Sequence, residues 1–135
     1  MDCSLVPSVC PYCGTGCGIL FEVIDGSIHS TLPMKTHPVN EGKLCIKGWN
    51  IYEHVNSYMR LTDPMVKTFG RLIKTEWDEA ISLTADRFSG IIQKHGPDSV
   101  AVLVSAKMTN EENYLAQKFA RAAIGTNNVD HCARL

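Results

Sequence analysis

Short apolar stretches separated by turn residues run through the first sixty residues, a pattern typical of strands and loops. The apolar run at 19–24 predicts one strand. Because Asp25-Gly26 is a strong two-residue hairpin signal, residues 27–30 are expected to form the return strand. The sequence therefore begins with a small antiparallel element.

The stretch that follows has the composition of a loop. Two prolines and a glycine at 33–42 predict a surface loop that brings the chain back to Cys45. A short helix is expected at about 50–58, with His54 as a surface or packing residue rather than a ligand.

The periodicity changes after residue 60. A hairpin is expected from 65–69 and 71–74 about Gly70, and Thr75 with Asp78 resembles a capping box. Apolar residues then recur at the spacing of a helix that ends at Gly96. These residues are Trp77, Ile81, Ala85, Phe88, Ile91 and Ile92. Trp77, at the beginning of this helix, is expected to be a core residue.

The nearly continuous apolar run at 99–104 predicts a buried parallel strand. Asn110 is expected to cap a helix to about Ile124, terminated by Gly125, and a further strand is expected to begin at 128–130. One strand–helix–strand cannot cover both faces of a parallel sheet, so we expect the beginning of a larger protein.

Two domains follow from these elements. Residues 1–58 are expected to form a small, loop-rich β domain, and residues 59–135 the incomplete beginning of an α/β domain, an α+β/α/β architecture overall. Thirteen basic and fourteen acidic residues nearly cancel, which disfavours binding to nucleic acid or to an anionic membrane. No apolar run has the length of a transmembrane helix and no leader is recognisable, so we expect a cytoplasmic protein.

The chemistry is concentrated in four cysteines. Cys10, Cys13 and Cys17 are clustered, and Cys45 follows after 27 intervening residues, a spacing that can wrap a cubane cluster. Each iron of a [4Fe–4S] cluster takes one thiolate, so this set fills the site. Glycines between the thiols allow the loop to fold closely around a bulky group, and their amides can turn toward the sulfides. The sequence favours an iron–sulfur site.

Two alternatives stay open at this point. A zinc site also uses four thiolates, although zinc ribbons usually pair two Cys-x2-Cys knuckles and the second knuckle is missing here. Disulfides are the other possibility, but a bridge across two residues is strained and nothing marks the chain as secreted.

Several separate segments resemble molybdopterin-dependent oxidoreductases. Cys10-Pro-Tyr-Cys-Gly-Thr-Gly-Cys17 and Leu44-Cys-Ile-Lys-Gly48 are similar to their N-terminal iron–sulfur segment, and Trp77-Asp-Glu-Ala80 to the opening helix of the next domain. The segments 109–114 and 125–135 most resemble formate dehydrogenase catalytic subunits.

This resemblance implies roles for individual residues. Cys10, Cys13, Cys17 and Cys45 would hold a [4Fe–4S] cluster, and Lys47 would lie between it and the pterin of a bis-molybdopterin guanine dinucleotide cofactor carrying molybdenum or tungsten. Formate would be oxidised to CO2, and electrons would pass to an iron–sulfur or flavin partner subunit.

The loop 105–110 lies between a predicted strand and a helix N-terminus, where α/β folds place ligands and phosphates. The resemblance puts cofactor contacts there, with Lys107 and Asn110 as candidates; solvent exposure and capping are the alternative roles.

In similar formate dehydrogenases the metal ligand, cysteine or selenocysteine, comes immediately after the segment matching Cys132 to Leu135. We therefore expect no catalytic residue within this chain and hypothesise that an in-frame UGA codon follows Leu135. The remainder of the subunit would complete the enzyme. Cys132 is expected to be a packed structural thiol, and Cys3 has no assigned role. A nitrate reductase of the same superfamily, a stand-alone electron-transfer module and a zinc-stabilised interaction domain are the rival functions.

Overall fold

A computed structural model of the protein describes residues 2–132. These residues fall into two compact units, one formed by 2–60, 105–114 and 132, the other by 61–104 and 115–131. No helix in the described part of the chain combines the length and the apolar character needed to cross a membrane.

The first unit contains a three-stranded antiparallel sheet in the order β1 (Cys3–Val9), β2 (Gly18–Ile24) and β3 (Ser27–Pro33). The predicted β2 and its return strand are confirmed, although β3 runs three residues beyond the predicted end. Asp25 and Gly26 both have positive φ angles, 46° and 80°, as the predicted two-residue turn requires.

Strand β1 was not predicted from the sequence. It lies at the edge of the sheet with most of its residues exposed, so it shows no alternation of buried and polar positions. Pro7 lies opposite Leu20 and is tolerated because an edge strand has one side without a pairing partner.

Two short helices follow the loop after β3. They are α1 (Ile46–Trp49) and α2 (Ile51–Asn56), so helical structure begins earlier than predicted and ends two residues sooner. The small core of this unit is formed by Cys10, Ile19 and Ile51. Because Cys10 belongs to this core, the cysteine loop is anchored in the most buried part of the unit.

The second unit begins with the predicted hairpin, β4 (Met65–Thr68) and β5 (Arg71–Lys74). Phe69 lies in the turn rather than in a strand, with a φ angle of 50°, next to Gly70 at 81°. The predicted pairing is thus confirmed with a turn one residue longer.

Helix α3 (Trp77–His95) ends at Gly96 as predicted, where a φ angle of 83° suits glycine. The predicted capping box is wrong: no side chain caps the helix, and the Thr75 hydroxyl donates a hydrogen bond to the Glu79 carboxylate instead. The prediction that Trp77 is a core residue is also wrong, because 64% of its surface is exposed in the structure of residues 2–132. The spacing of apolar residues along α3 defines an apolar helix face, but it does not determine whether another element packs against that face.

Strands β6 (Val102–Val104) and β7 (Val129–His131) pair in parallel, which confirms the predicted orientation. The predicted burial of β6 is wrong, since Leu103 is 80% exposed; a two-stranded sheet leaves its faces without covering layers. Between these strands lies α4 (Asn110–Lys118), continued by a π-helical segment (Phe119–Ile124) and ended by Gly125 at a φ angle of 86°.

Candidate functional site

The four clustered cysteines line one cavity in the first unit. Its volume is about 60 Å³. The cavity is lined by Cys10, Tyr12, Cys13, Cys17, Leu44, Cys45, Lys47, Gly48, Ala106 and Lys107. The fold therefore brings the four thiols together with Lys47 and Lys107. Asn110 contacts the cysteine loop separately, through a hydrogen bond to Gly14.

The strand pairing of β1 and β2 closes the loop that carries three of the thiols. The Cys10 amide donates a 2.8 Å hydrogen bond to the Cys17 carbonyl, directly after the last β1–β2 pair, Val9 and Gly18. Within the loop, the Gly16 amide donates to the Cys13 carbonyl at 3.3 Å. Gly16 has a φ angle of 65°, which favours glycine. The three thiols are thus grouped by a turn at the end of a hairpin.

Asn40 brings the fourth thiol to this loop. Its buried side chain accepts a 2.8 Å hydrogen bond from the Gly18 amide and donates to the Gly18 carbonyl at 3.1 Å. A third bond runs to the Lys43 carbonyl at 3.0 Å. Asn40 therefore pins the loop before Cys45 to the beginning of β2, a role that sequence reasoning missed because the contact spans 22 residues.

Asn110 contacts the cysteine loop from a distant part of the sequence. Its side-chain amide donates a 2.9 Å hydrogen bond to the Gly14 carbonyl. A Cβ atom at Gly14 would lie 2.6 Å from the Asn110 Oδ1 atom, so this approach requires glycine. The contact locates Asn110 beside the candidate site.

The predicted capping role of Asn110 is wrong, because Thr109 caps α4. The Thr109 hydroxyl accepts a 3.2 Å hydrogen bond from the Glu112 amide, and the Glu112 carboxylate accepts a 2.8 Å bond from the Thr109 amide. This reciprocal pair is a capping box. The Thr-x-x-Glu signature was visible in the sequence and could have identified it.

Lys47 lies over an aromatic ring. Its Nζ atom is 4.6 Å from the centroid of the Tyr12 ring, within the range of a cation–π interaction. Tyr12 lies between two of the thiols in sequence and lines the same cavity. Sequence reasoning identified Lys47 but missed Tyr12.

The thiols influence one another electrostatically. Burial raises the pKa of Cys10 most strongly, the Tyr12 amide lowers it by a smaller amount, and the neighbouring Cys13 and Cys45 thiolates each raise it by less again. Burial and the same kind of repulsion raise the pKa of Cys17. Four thiolates in one cavity are therefore mutually repulsive, as expected of a site whose charge a metal group offsets.

Cys45 has the opposite tendency. The Gly48 amide lowers the pKa of the Cys45 thiol most strongly, and the Lys47 amide and ammonium group contribute in the same direction. Cys10, Cys17 and Cys45 lie outside any disulfide. Within residues 2–132, no three acidic, histidine or cysteine side chains are grouped closely enough around one point for a single metal ion.

Two family models match the chain. The molybdopterin oxidoreductase Fe4S4 domain matches residues 3–57, and the molybdopterin oxidoreductase domain matches residues 60–135. The chain belongs to the molybdopterin oxidoreductase family. The resemblance inferred from the cysteine motif is thereby confirmed.

Among molybdopterin oxidoreductases, the relatives that the chain resembles include F420-dependent formate dehydrogenase alpha subunits of two organisms. It is 50% identical over 135 residues to the F420-dependent formate dehydrogenase 1 subunit alpha of Methanococcus maripaludis, and 53% identical over 131 residues to subunit alpha of formate dehydrogenase 2 of that organism. The corresponding subunit of Methanocaldococcus jannaschii is 44% identical over 135 residues. These matches cover 97–100% of this chain and 19% of each relative, so the chain spans about a fifth of their length.

A solved structure shares the fold. Acetylene hydratase from Pelobacter acetylenicus superimposes with a TM-score of 0.73 at 26% identity, over 93% of this chain and 18% of the other. The mixed arrangement of small sheets and helices is therefore that of a molybdopterin oxidoreductase.

Two remaining predictions concern the end of the chain. Cys132 is exposed, with its sulfur 3.4 Å from the Ser105 hydroxyl oxygen, so the prediction of a packed thiol is wrong. The expected metal ligand after Leu135 lies outside the described residues.

Proposed function

We propose that this chain is the N-terminal part of the catalytic subunit of a formate dehydrogenase or CO2 reductase. The observation that carries the proposal is 50% identity over all 135 residues to a formate dehydrogenase alpha subunit. The segment 127–135 matches formate dehydrogenases better than nitrate reductases and supports the same choice.

In this proposal Cys10, Cys13, Cys17 and Cys45 bind a [4Fe–4S] cluster. The support is that all four thiols line one cavity, that their charges repel one another, and that they lie within the stretch matched by the Fe4S4 domain. One thiolate per iron accounts for the complete set. A single zinc ion would instead need its ligands gathered about one point.

The two lysines on the cavity have a complementary role. Lys47 and Lys107 bring positive charge to a site that otherwise collects thiolates. Lysine donates three hydrogen bonds and carries a compact charge, so it can contact a polar pterin and stabilise added electrons. We propose that Lys47 mediates electron transfer to the cluster and that Lys47, Lys107 and Asn110 contact the pterin cofactor.

The proposed reaction converts formate to CO2, one proton and two electrons. A bis-molybdopterin guanine dinucleotide with molybdenum or tungsten supplies the chemistry that accepts the hydride equivalent. The residues of this chain hold the cluster and one side of the cofactor site; the metal ligand and the remaining active-site residues belong to the rest of the subunit. Electrons leave through the cluster to an iron–sulfur or flavin partner subunit.

An assay of the native protein, isolated with its accompanying polypeptide and subunits, tests this proposal. Formate should reduce a viologen dye, and nitrate should not oxidise the reduced dye. Activity with nitrate but not with formate would overturn the choice of substrate. Mass spectrometry of the same sample should find peptides that continue past Arg134; a native protein that ends at Leu135 would contradict the proposal of a catalytic subunit.

A further inference from the structure

We infer that Tyr12 is a positioning residue, whose ring holds the Lys47 ammonium group at the cavity lined by the four thiols. The inference rests on the proposed cluster site and adds a residue to it. It assigns Tyr12 a role through Lys47 rather than a direct part in the chemistry.

The two side chains connect separate parts of the site. Tyr12 belongs to the loop with the first three thiols, whereas Lys47 belongs to the short helix that follows Cys45. The Nζ atom lies 4.6 Å from the ring centroid, and both residues line the cavity. Their contact therefore joins the two segments that carry the thiols.

The segments that carry both residues are held by backbone hydrogen bonds at the thiol positions. The Cys10 amide donates a 2.8 Å hydrogen bond to the Cys17 carbonyl, and the Trp49 amide donates one of 3.2 Å to the Cys45 carbonyl. The ring and the ammonium group therefore face each other from two held segments. A displacement of either thiol-bearing segment would change the contact.

Lys47 needs such a partner. Its side chain is long and flexible, and the ion pair found in residues 2–132 joins Lys74 to Asp63 rather than involving Lys47. An aromatic face attracts a cation without neutralising it, whereas a carboxylate would cancel its charge. The ring therefore keeps the full positive charge of Lys47 available at the cavity.

This arrangement predicts an effect on the redox potential of the cluster. A fixed cation beside a cluster stabilises the reduced, more negative form and raises its potential. Tyr12→Leu should lower the midpoint potential by most of the shift that Lys47→Met produces. Tyr12→Phe retains the ring and should leave the potential close to that of the parent protein.

The experiment is a redox titration of the cluster-loaded protein, followed by electron paramagnetic resonance. The double variant Tyr12→Leu/Lys47→Met should match Lys47→Met alone, because the ring acts only through the lysine. Control variants are Tyr58→Leu, which removes a tyrosine exposed at 96%, and Lys43→Met, which removes an exposed cation; both should leave the potential unchanged.

Acetylation provides a second measurement that does not depend on the cluster. The ratio of Lys47 to Lys43 modification should rise in Tyr12→Leu but not in Tyr12→Phe, since a lysine side chain released from the ring is more accessible to the reagent. The acetylation ratio also tests the contact between Tyr12 and Lys47 in a variant that fails to bind iron.

An unchanged potential and acetylation ratio in Tyr12→Leu would overturn the inference. Additive shifts in the double variant would do the same, because Tyr12 would then act independently of Lys47. A parent protein without any cluster would instead refute the proposed function, while the acetylation ratio would still test the contact between the two residues.

Discussion

The side chain of Asn110 donates a hydrogen bond of 2.9 Å to the carbonyl oxygen of Gly14, across a sequence separation of 96 residues. This bond ties the first residue of α4 to the loop that carries three thiols. The absence of a Cβ atom at Gly14 makes room for it.

Gly14→Ala should loosen the cysteine loop, because its Cβ atom would lie 2.6 Å from Asn110 Oδ1 and displace that side chain. Asn110→Ala should have a similar effect by removing the hydrogen bond, worth about 1 kcal/mol. The measurement is the rate at which a chelator removes iron from each variant. The double variant should lose iron no faster than Asn110→Ala; additive rates would show that the two residues do not act through one contact.

Asn40→Ala should be strongly destabilising, because the buried amide makes three hydrogen bonds to the backbone. Loss of these bonds should lower the free energy of unfolding by about 2–4 kcal/mol, measured by chemical denaturation. Asn56→Ala is the matched control, since that exposed amide makes one bond, to Ile28, and should cost less than about 1 kcal/mol. Equal losses in the two variants would contradict the role assigned to Asn40.

Thr109→Ala should fray the beginning of α4, because it removes one half of the capping box. The expected cost is about 1 kcal/mol, seen as faster hydrogen exchange of the amides at 110–113. Thr109→Ser retains the hydroxyl and should behave like the parent protein. Thr84→Ala is the control within a helix, where the hydroxyl only donates to the Ala80 carbonyl. Unchanged exchange in Thr109→Ala would show that the box does not stabilise the helix.

Removal of iron should expose thiols of unequal reactivity. The pKa of Cys45 is lowered, mainly by the Gly48 amide, whereas burial raises those of Cys10 and Cys17. A lower pKa gives more thiolate at a given pH, so iodoacetamide near neutral pH should modify Cys45 before Cys10 and Cys17. Peptide mass spectrometry measures the order in which the thiols are modified. The difference in rate between them should disappear in denaturant. Faster modification of Cys10 in the folded protein would contradict the environments described for these thiols.

Local signals in the sequence were sufficient for several elements. The turn at Asp25-Gly26, the hairpin at Gly70 and the helix ends at Gly96 and Gly125 were predicted because each depends on a glycine at positive φ. Grouping of the cysteines was likewise predicted from their spacing.

Contacts between distant segments could not be predicted in the same way. The hydrogen bond from Asn110 to Gly14 and the cation–π contact of Lys47 with Tyr12 each join a helix to the cysteine loop, which no local sequence pattern encodes. Similarly, the helical spacing that begins at Trp77 identifies an apolar face but not what covers it, so its predicted burial was wrong. Edge strand β1 was missed because its exposed residues leave no periodic signal.

The most direct test of whether the four thiols hold an iron–sulfur cluster is the iron and acid-labile sulfide content of the anaerobically purified protein, with its electron paramagnetic resonance spectrum after reduction. About four irons and four sulfides are expected for each chain, together with a signal that is lost when Cys10 is replaced by serine. One zinc ion without sulfide would contradict it, since the four thiols would then form a structural metal site with no place for an electron.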